Sequence, residues 1–234
     1  MKYELRGDRI VDLSQTLEPG IPKPVGFPDP ELTLFRSMAE GNVINTERIT
    51  FCPHTGTHID APLHFAADGA SVEALPPDCV LGPAVVVDLR HKRGSVPIER
   101  TDIEEWESLA GEVVKPGDAL LLWTDFSRFW KTGPEGDRFV TEGWPYVTRS
   151  LVDFVMERKV RLVGVESMDL DLVDPFDLTT AEFVGHRNFL PNGIQIIENL
   201  TGMEMIGATR CFLIAAPLKI RGATGSPLRV LALV

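Results

Sequence analysis

Residues 53–65 read Pro53-His54-Thr55-Gly56-Thr57-His58-Ile59-Asp60-Ala61-Pro62-Leu63-His64-Phe65. Three of the chain's five histidines fall in this stretch, with one aspartate among them. A helix does not suit it. At about 100° per residue, His54 and His58 lie about 40° apart, but Asp60 and His64 fall on the far side. Gly56, the β-branched Thr55 and Thr57, and Pro62 also disfavour a helix. In a strand the four polar residues, all even-numbered, face one side. At about 3.3 Å per residue, however, His54 and His58 would stand roughly 13 Å apart, whereas ligands lie about 2 Å from a metal ion. The chain must therefore curl, and Gly56 is the residue that permits it. The stretch predicts a bent loop after a strand at 43–51.

Imidazole nitrogens and a carboxylate suit Zn²⁺, Mn²⁺ or Fe²⁺. Two histidines and one carboxylate leave coordination positions open for water, as in a catalytic site and unlike a closed structural one.

Outward from this loop, short apolar and β-branched runs predict strands at 9–13, 43–51, 84–89, 119–123, 161–165, 193–198, 211–216 and 228–234. The runs 84–89 and 119–123 are almost wholly apolar, as expected of strands buried on both faces. Two segments predict helices. One is 101–109, with Thr101 as N-cap and acidic residues in the first turn. The other is 148–159, with Leu151, Val152, Phe154 and Val155 at helical spacing. Residues 19–30 hold five prolines and predict an ordered, irregular loop, and 131–145 is similar. Strands outnumber helices, and no linker or repeat interrupts the chain. The expected fold is a mixed α+β (α/β) one over 1–234: a single compact β/β/α domain, strand-rich with few helices.

With 234 residues the chain can bury one sizeable core, and 44% hydrophobic with 24% charged residues excludes a disordered tail or a fibre. A net charge of −11 argues against nucleic acid as a partner. The three cysteines (Cys52, Cys79, Cys211) form no CxxC pair, so neither a disulfide framework nor a cysteine zinc site is expected. Residues 1–6 contain no apolar leader, and no apolar run is long enough for a membrane span. A cytoplasmic location follows, with a small molecule as the partner.

Other features carry less. Cys52 beside His54 is expected to be a small buried strand residue. The acidic run 168–177 lacks the glycine and terminal glutamate of a calcium loop and is expected to be solvated. The glycine-rich run 222–226 lacks the GK[ST] of a phosphate loop. His91 sits in a charged turn and is expected to be exposed. Trp123 and Trp130 flank a loop after a buried strand and are expected in the core or lining a pocket.

The run from His54 to Phe65 resembles the HxGTHxDxPxHF signature of the cyclase family of metal-dependent hydrolases. Asp12-Leu13-Ser14 with Gly20-Ile21-Pro22, Gly164-Val165-Glu166-Ser167 with Val173-Asp174-Pro175, His186, the run Gly193 to Leu200, Ala216-Pro217-Leu218-Lys219 and Gly225-Ser226-Pro227-Leu228-Arg229 extend the similarity over nearly the whole chain. The resemblance implies a mixed β/β/α fold assembled as a homodimer or higher oligomer. It implies that His54, His58 and Asp60 bind one metal ion and that Asp60 bridges to a second held by His186 and Glu198. His64 is then the proton donor and acceptor beside them. One or two divalent ions are implied, zinc first and manganese second. The reaction implied is hydrolysis of a small amide, formamidase-like, by a metal-activated water with His64 as proton shuttle. Phe27 is the aromatic residue where the formamidases carry a tryptophan in the early proline-rich loop, and Glu166 stands where they more often have aspartate. Two other functions fit the same residues: hydrolysis of a cyclic amide or lactone, and metal-containing binding of a small ligand without turnover. His64 favours an enzyme, because a site that only holds metal needs no proton shuttle.

Overall fold

A computed structural model describes residues 7–234; residues 1–6, read above as lacking an apolar leader, lie outside them. The strands in chain order are β1 (Ile10–Asp12), β2 (Glu31–Arg36), β3 (Thr46–Thr50), β4 (His58–Asp60), β5 (Leu81–Asp88), β6 (Pro97–Ile98) and β7 (Ala119–Trp123). They continue with β8 (Tyr146–Val147), β9 (Leu162–Val165), β10 (Gln195–Glu198), β11 (Arg210–Ile214), β12 (Gly225–Pro227) and β13 (Leu231–Leu233). The helices are α1 (Pro77–Val80), α2 (Arg100–Ala110), α3 (Asp137–Thr141), α4 (Arg149–Arg158) and α5 (His186–Phe189), joined by short 3₁₀ turns.

Nine strands form one mixed sheet in the order β1-β13-β11-β5-β7-β9-β10-β4-β12. The middle four, β5, β7, β9 and β10, run parallel, and the flanking strands are antiparallel. Parallel strands need crossover connections, which α2, α4 and α5 supply. The valines of β5 and leucines of β7 are buried on both faces, as their unbroken apolar runs predict. Val85, Val87, Leu120 and Leu122 face α2 and α4, in a core with Ile103, Leu151 and Phe154. Ala84, Val86, Ala119 and Leu121 face the other way, toward Leu213, Met203 and Ile206. The sheet curls, so that Ser14, just past β1, bridges to Leu200, just past β10.

Helix α2 starts one residue earlier than expected. Its N-cap is Glu99, in a reciprocal capping box with Asp102, and Thr101 lies inside the first turn. Helix α4 is capped by Thr148, whose side chain accepts from Leu151 N. The proline-rich 19–30 is irregular, as expected, but 131–145 contains α3. The ribbon β2–β3 stands apart: among the described residues its two strands pair only with each other. Among the described residues no helix is long and apolar enough to cross a membrane.

Candidate metal centre

The site lies at the β10–β4 end of the sheet. His58 and Asp60 alternate with Ile59 along β4, so Ile59 enters the core while the two polar side chains share the opposite face. Glu198 of β10 sits directly across from His58. His54 reaches the same point through the curl, with Gly56 at φ 64°. On the other side, Gly225 of β12 pairs with Asp60. A Cβ on Gly225 would come within 2.6 Å of Ile59 O and 2.7 Å of the His54 ring, so only glycine fits. His186 opens α5 and completes the group.

Asp60 is buried between two sets of donors. Its Oδ1 lies 2.6 Å from His54 Nδ1 and 3.4 Å from His58 Nε2, and its Oδ2 lies 3.3 Å from His186 Nε2. Glu198 spans the same pair, with Oε2 3.4 Å from His58 Nε2 and Oε1 3.5 Å from His186 Nε2. Around an ion with ligands at about 2.0–2.1 Å, tetrahedral ligand atoms stand roughly 3.3 Å from one another. Four of these five separations match that edge, and the His54–Asp60 contact is a direct hydrogen bond.

The tautomers follow from the partners. His58 Nδ1 donates to Gly56 O at 2.9 Å, and His186 Nδ1 donates to Asp171 Oδ2 at 2.8 Å. Neither acceptor can donate, so both Nε2 lone pairs point inward. His54 Nε2 is engaged by Thr224 Oγ1 at 2.9 Å, which leaves Nδ1 toward Asp60. Gly56 O also accepts from Asn199 Nδ2, and Thr57 Oγ1 ties Gln15 N to Asn199 O, which fixes the curl to the strand β10.

Asp60 Oδ2 and Glu198 Oε1 are buried and accept no hydrogen bond from any described residue. Buried anionic oxygens without a donor are costly, and a cation satisfies them. The electrostatics point the same way. Burial, with Asp169 and Asp60 beside it, pushes the Glu198 carboxyl well up. Burial raises Asp169 to about 7, and His186 lowers it again in part. Burial opposes charge on His186, yet Asp169, Asp171 and Asp60 around it raise it well above its ordinary value. Burial also opposes charge on Asp60, but the imidazoles of His186, His54 and His58 around it hold it well below the usual carboxylate range. The side chains therefore fit divalent metal, and three sets have donor atoms close enough to hold an ion: His54–His58–Asp60, Asp60–His64–His186 and Asp169–Asp171–His186.

All six residues singled out in the sequence meet here. His64 stacks on His54 with ring centroids 3.9 Å apart, and its ring lies 5.9 Å from that of His186. Burial, opposed by Asp60 and reinforced by the other imidazoles, lowers its pKa to about 3. The acidic run corrects the expectation of a solvated loop. Asp171 is buried and receives Gly185 N, His186 N and His186 Nδ1, and Asp169 Oδ1 lies 3.7 Å from His186 Nδ1. Thr224 and Gly225 give the glycine-rich run a role at the back of the site that its composition did not show. Glu166 sits apart, buried under donors from Thr124, Phe126 and Ser127, and anchors the loop after β7. His91 is exposed, as expected; Cys52 is half-buried in the turn after β3 and all three cysteines are free.

A cavity of about 190 Å³ opens onto the cluster, and Phe27 of the proline-rich loop lines it. The Cyclase family model matches residues 11–172. A kynurenine formamidase from Bacillus cereus is 32% identical over 219 residues, covering 94% of each chain. Among solved structures, isatin hydrolase A from Ralstonia solanacearum superposes with a TM-score of 0.84 at 30% identity, covering 97% of this chain and 92% of its own. A protein of Bacillus stearothermophilus, described as a predicted metal-dependent hydrolase, gives 0.74 at 26% identity, covering 96% and 97%.

Proposed function

The chain belongs to the Cyclase family, and from that premise we propose that it is a metal-dependent hydrolase of a small amide, formamidase-like in its chemistry. His54, His58 and Asp60 Oδ1 would hold one divalent ion, and His186, Glu198 and Asp60 Oδ2 a second. Zinc suits this donor set best, and manganese is the runner-up. Such ions, when bound, polarise a carbonyl and bring the pKa of a water toward neutrality.

The remaining steps fall to the side chains. His58 and His186 keep their Nε2 lone pairs inward because Gly56 O and Asp171 hold their Nδ1 protons. His64, whose pKa burial lowers, is neutral near pH 7 and has an imidazole nitrogen free of a proton at the start of a turnover. It takes a proton from the attacking water, holds it on an imidazole nitrogen, and delivers it to the amide nitrogen. Water adds to the carbonyl carbon, the C–N bond breaks, and an acid and an amine leave. The observation that carries this reading is the double exposure of Asp60: one oxygen faces His54 and His58, the other faces His186 without a hydrogen bond.

Chelator-stripped protein refilled with Zn²⁺ or Mn²⁺ and assayed on formanilide tests it. Hydrolysis that returns with metal supports the reading; activity untouched by stripping, or absent with every metal, refutes it. Opening of a cyclic amide or lactone in the same cavity is a second reading, favoured by the likeness to isatin hydrolase A. Binding without turnover is disfavoured by the placement of His64.

The ribbon β2–β3 supports a homodimer or higher oligomer. Leu32, Leu34, Phe35 and Ile49 are each more than half exposed on it. A two-stranded ribbon is marginal in water by itself, and a second copy of the chain would cover these side chains. The three free thiols are in keeping with a reducing, cytoplasmic location.

A further inference from the structure

Asn199 directly follows Glu198 in the chain and carries two costs at once. Its backbone is left-handed, at φ 59°. Among the described residues Asp125, Lys159 and Phe183 share that conformation without being glycine, and of the four only Asn199 is buried, at 5% exposure. Its Oδ1 is buried too, with no donor among the described residues. A native structure keeps a disfavoured backbone and an unmet polar atom in one residue where its surroundings impose them, and such costs gather at functional sites.

The hydrogen bonds around Asn199 show what its placement serves. Its main chain is held from two sides: Asn199 N donates to Ser167 O at 3.0 Å, and Asn199 O accepts from Thr57 Oγ1 at 2.7 Å. The side chain then brings Nδ2 to Gly56 O at 2.9 Å. That carbonyl also accepts the His58 Nδ1 proton, again at 2.9 Å. A carbonyl cannot donate, so the amide has one orientation, with its NH₂ toward Gly56. Gly56 needs such a hold. It is left-handed at φ 64°, and glycine adopts positive and negative φ with equal ease. If the peptide after Gly56 turned, its carbonyl would leave His58 Nδ1. His58 could then carry its proton on Nε2, the nitrogen that must be bare to face an ion. Asparagine suits this position on both counts. It tolerates the left-handed backbone and supplies a donor, whereas glycine lacks the donor and aspartate would set one acceptor against another.

Resting on the reading of His58 and Glu198 as ion ligands, we propose that Asn199 is a positioning residue: it locks the Gly56 carbonyl, thereby fixes the Nδ1–H tautomer of His58, and so sets the first ion site from the strand that supplies Glu198 to the second. Two variants of the full-length protein separate this from a role in folding. Asn199→Gly keeps the backbone conformation and removes the donor. Gly56 O retains the His58 donor and the unmet Oδ1 disappears, so the metal-free variant should melt within about 4 °C of wild type. Its zinc affinity, read by competition against a chromophoric chelator, should fall about tenfold or more. Asn199→Asp adds a negative charge beside a cation site, which by charge alone would tighten zinc binding. With its carboxylate against Gly56 O it should instead bind zinc more weakly than Asn199→Gly does. Long-range ¹H–¹⁵N spectra of the metal-free proteins at about pH 8 read the His58 tautomer: Nδ1–H alone in wild type, a mixture of both in Asn199→Gly. Wild-type zinc affinity in either variant overturns the proposal, as does a single Nδ1–H tautomer retained in Asn199→Gly. Zinc loss with a melting point lowered well beyond that range assigns Asn199 to the fold alone and overturns it too. If the wild-type protein takes up no zinc, the metal reading fails, and the tautomer spectra then decide the proposal: a mixture in Asn199→Gly supports it, and a single Nδ1–H form overturns it.

Discussion

Replacing Asp171 with asparagine keeps the shape of the side chain and removes its charge. Asp171 is 1% exposed. Its Oδ2 accepts from His186 Nδ1 at 2.8 Å and His186 N at 3.1 Å, and its Oδ1 accepts from Gly185 N at 2.5 Å. All three partners are N–H donors, and asparagine offers one acceptor oxygen. In either amide orientation its NH₂ faces an N–H, so a buried donor loses its acceptor at a cost of about 1–3 kcal/mol. In a chain of 234 residues each kcal/mol moves the midpoint by about 2–4 °C, so metal-free Asp171→Asn should melt roughly 2–12 °C lower. The second effect is on metal. The carboxylate fixes the Nδ1–H tautomer of His186 and makes Nε2 more basic, and losing such a partner costs about 10–100-fold in affinity. Calorimetry of the metal-free variant measures the first effect, and competition against a chromophoric zinc chelator measures the second. A lowered melting point with wild-type zinc affinity would refute the orienting role and leave Asp171 as a backbone anchor alone. No change in either refutes the whole chain of reasoning.

His64→Ala should keep metal and fold yet lose about 10²–10⁴-fold in turnover on amides, the usual worth of a positioned acid–base group. The loss should shrink on activated aryl esters, whose leaving groups need no proton; metal loss matching that of His58→Ala, or an equal loss on both substrates, counts against a shuttle. Gly225→Ala should weaken zinc binding, since the new Cβ would sit 2.7 Å from the His54 ring and 2.6 Å from Ile59 O; unchanged affinity on chelator titration would show that the strand gives way freely. pH acts through the raised groups. Above about pH 6.5 an unfolded chain carries ionised carboxylates and neutral imidazoles. The folded metal-free cluster still binds protons there, because Asp169 (about 7), Glu198 and His186 all titrate above their ordinary values. Metal-free stability should therefore fall as pH rises from 6.5 to 8, while the stabilisation given by zinc should grow as protons stop competing for the ligands. Melting curves with and without zinc at several pH values measure both slopes, and a flat zinc increment excludes a histidine-rich site.

The first ligand triplet was legible because its pattern conflicts with every regular element. Even-numbered polar residues suggested a strand face, the distance from His54 to His58 required a curl, and Gly56 supplied it. The structure splits the difference: His58 and Asp60 do lie on a strand, β4, and only His54 is brought in by the turn. Strand β4 has three residues, too few for an alternation to register, and β6, β8 and β12 escaped for the same reason. The long apolar runs of β5 and β7 were read within a few residues because burial on both faces leaves no ambiguity. His186 and Glu198 came from family resemblance, since they lie far apart in sequence and meet only through the β10–β4 pairing and α5. Asp171 was misread because an acidic run looks solvated until a histidine 15 positions later folds against it. Of the ribbon, β3 falls within the strand expected at 43–51, and only β2 was missed, because its exposed leucines match no buried face.

Asp60 as the shared ligand of two metal ions is the claim on which the account rests. Anomalous diffraction at the zinc edge, from crystals of the zinc-refilled protein, tests it most directly. Two peaks per chain are expected, both within ligand distance of Asp60, one beside His54 and His58 and the other beside His186 and Glu198. A zinc peak remote from Asp60, or a metal-free cluster in protein that still hydrolyses amides, would contradict it.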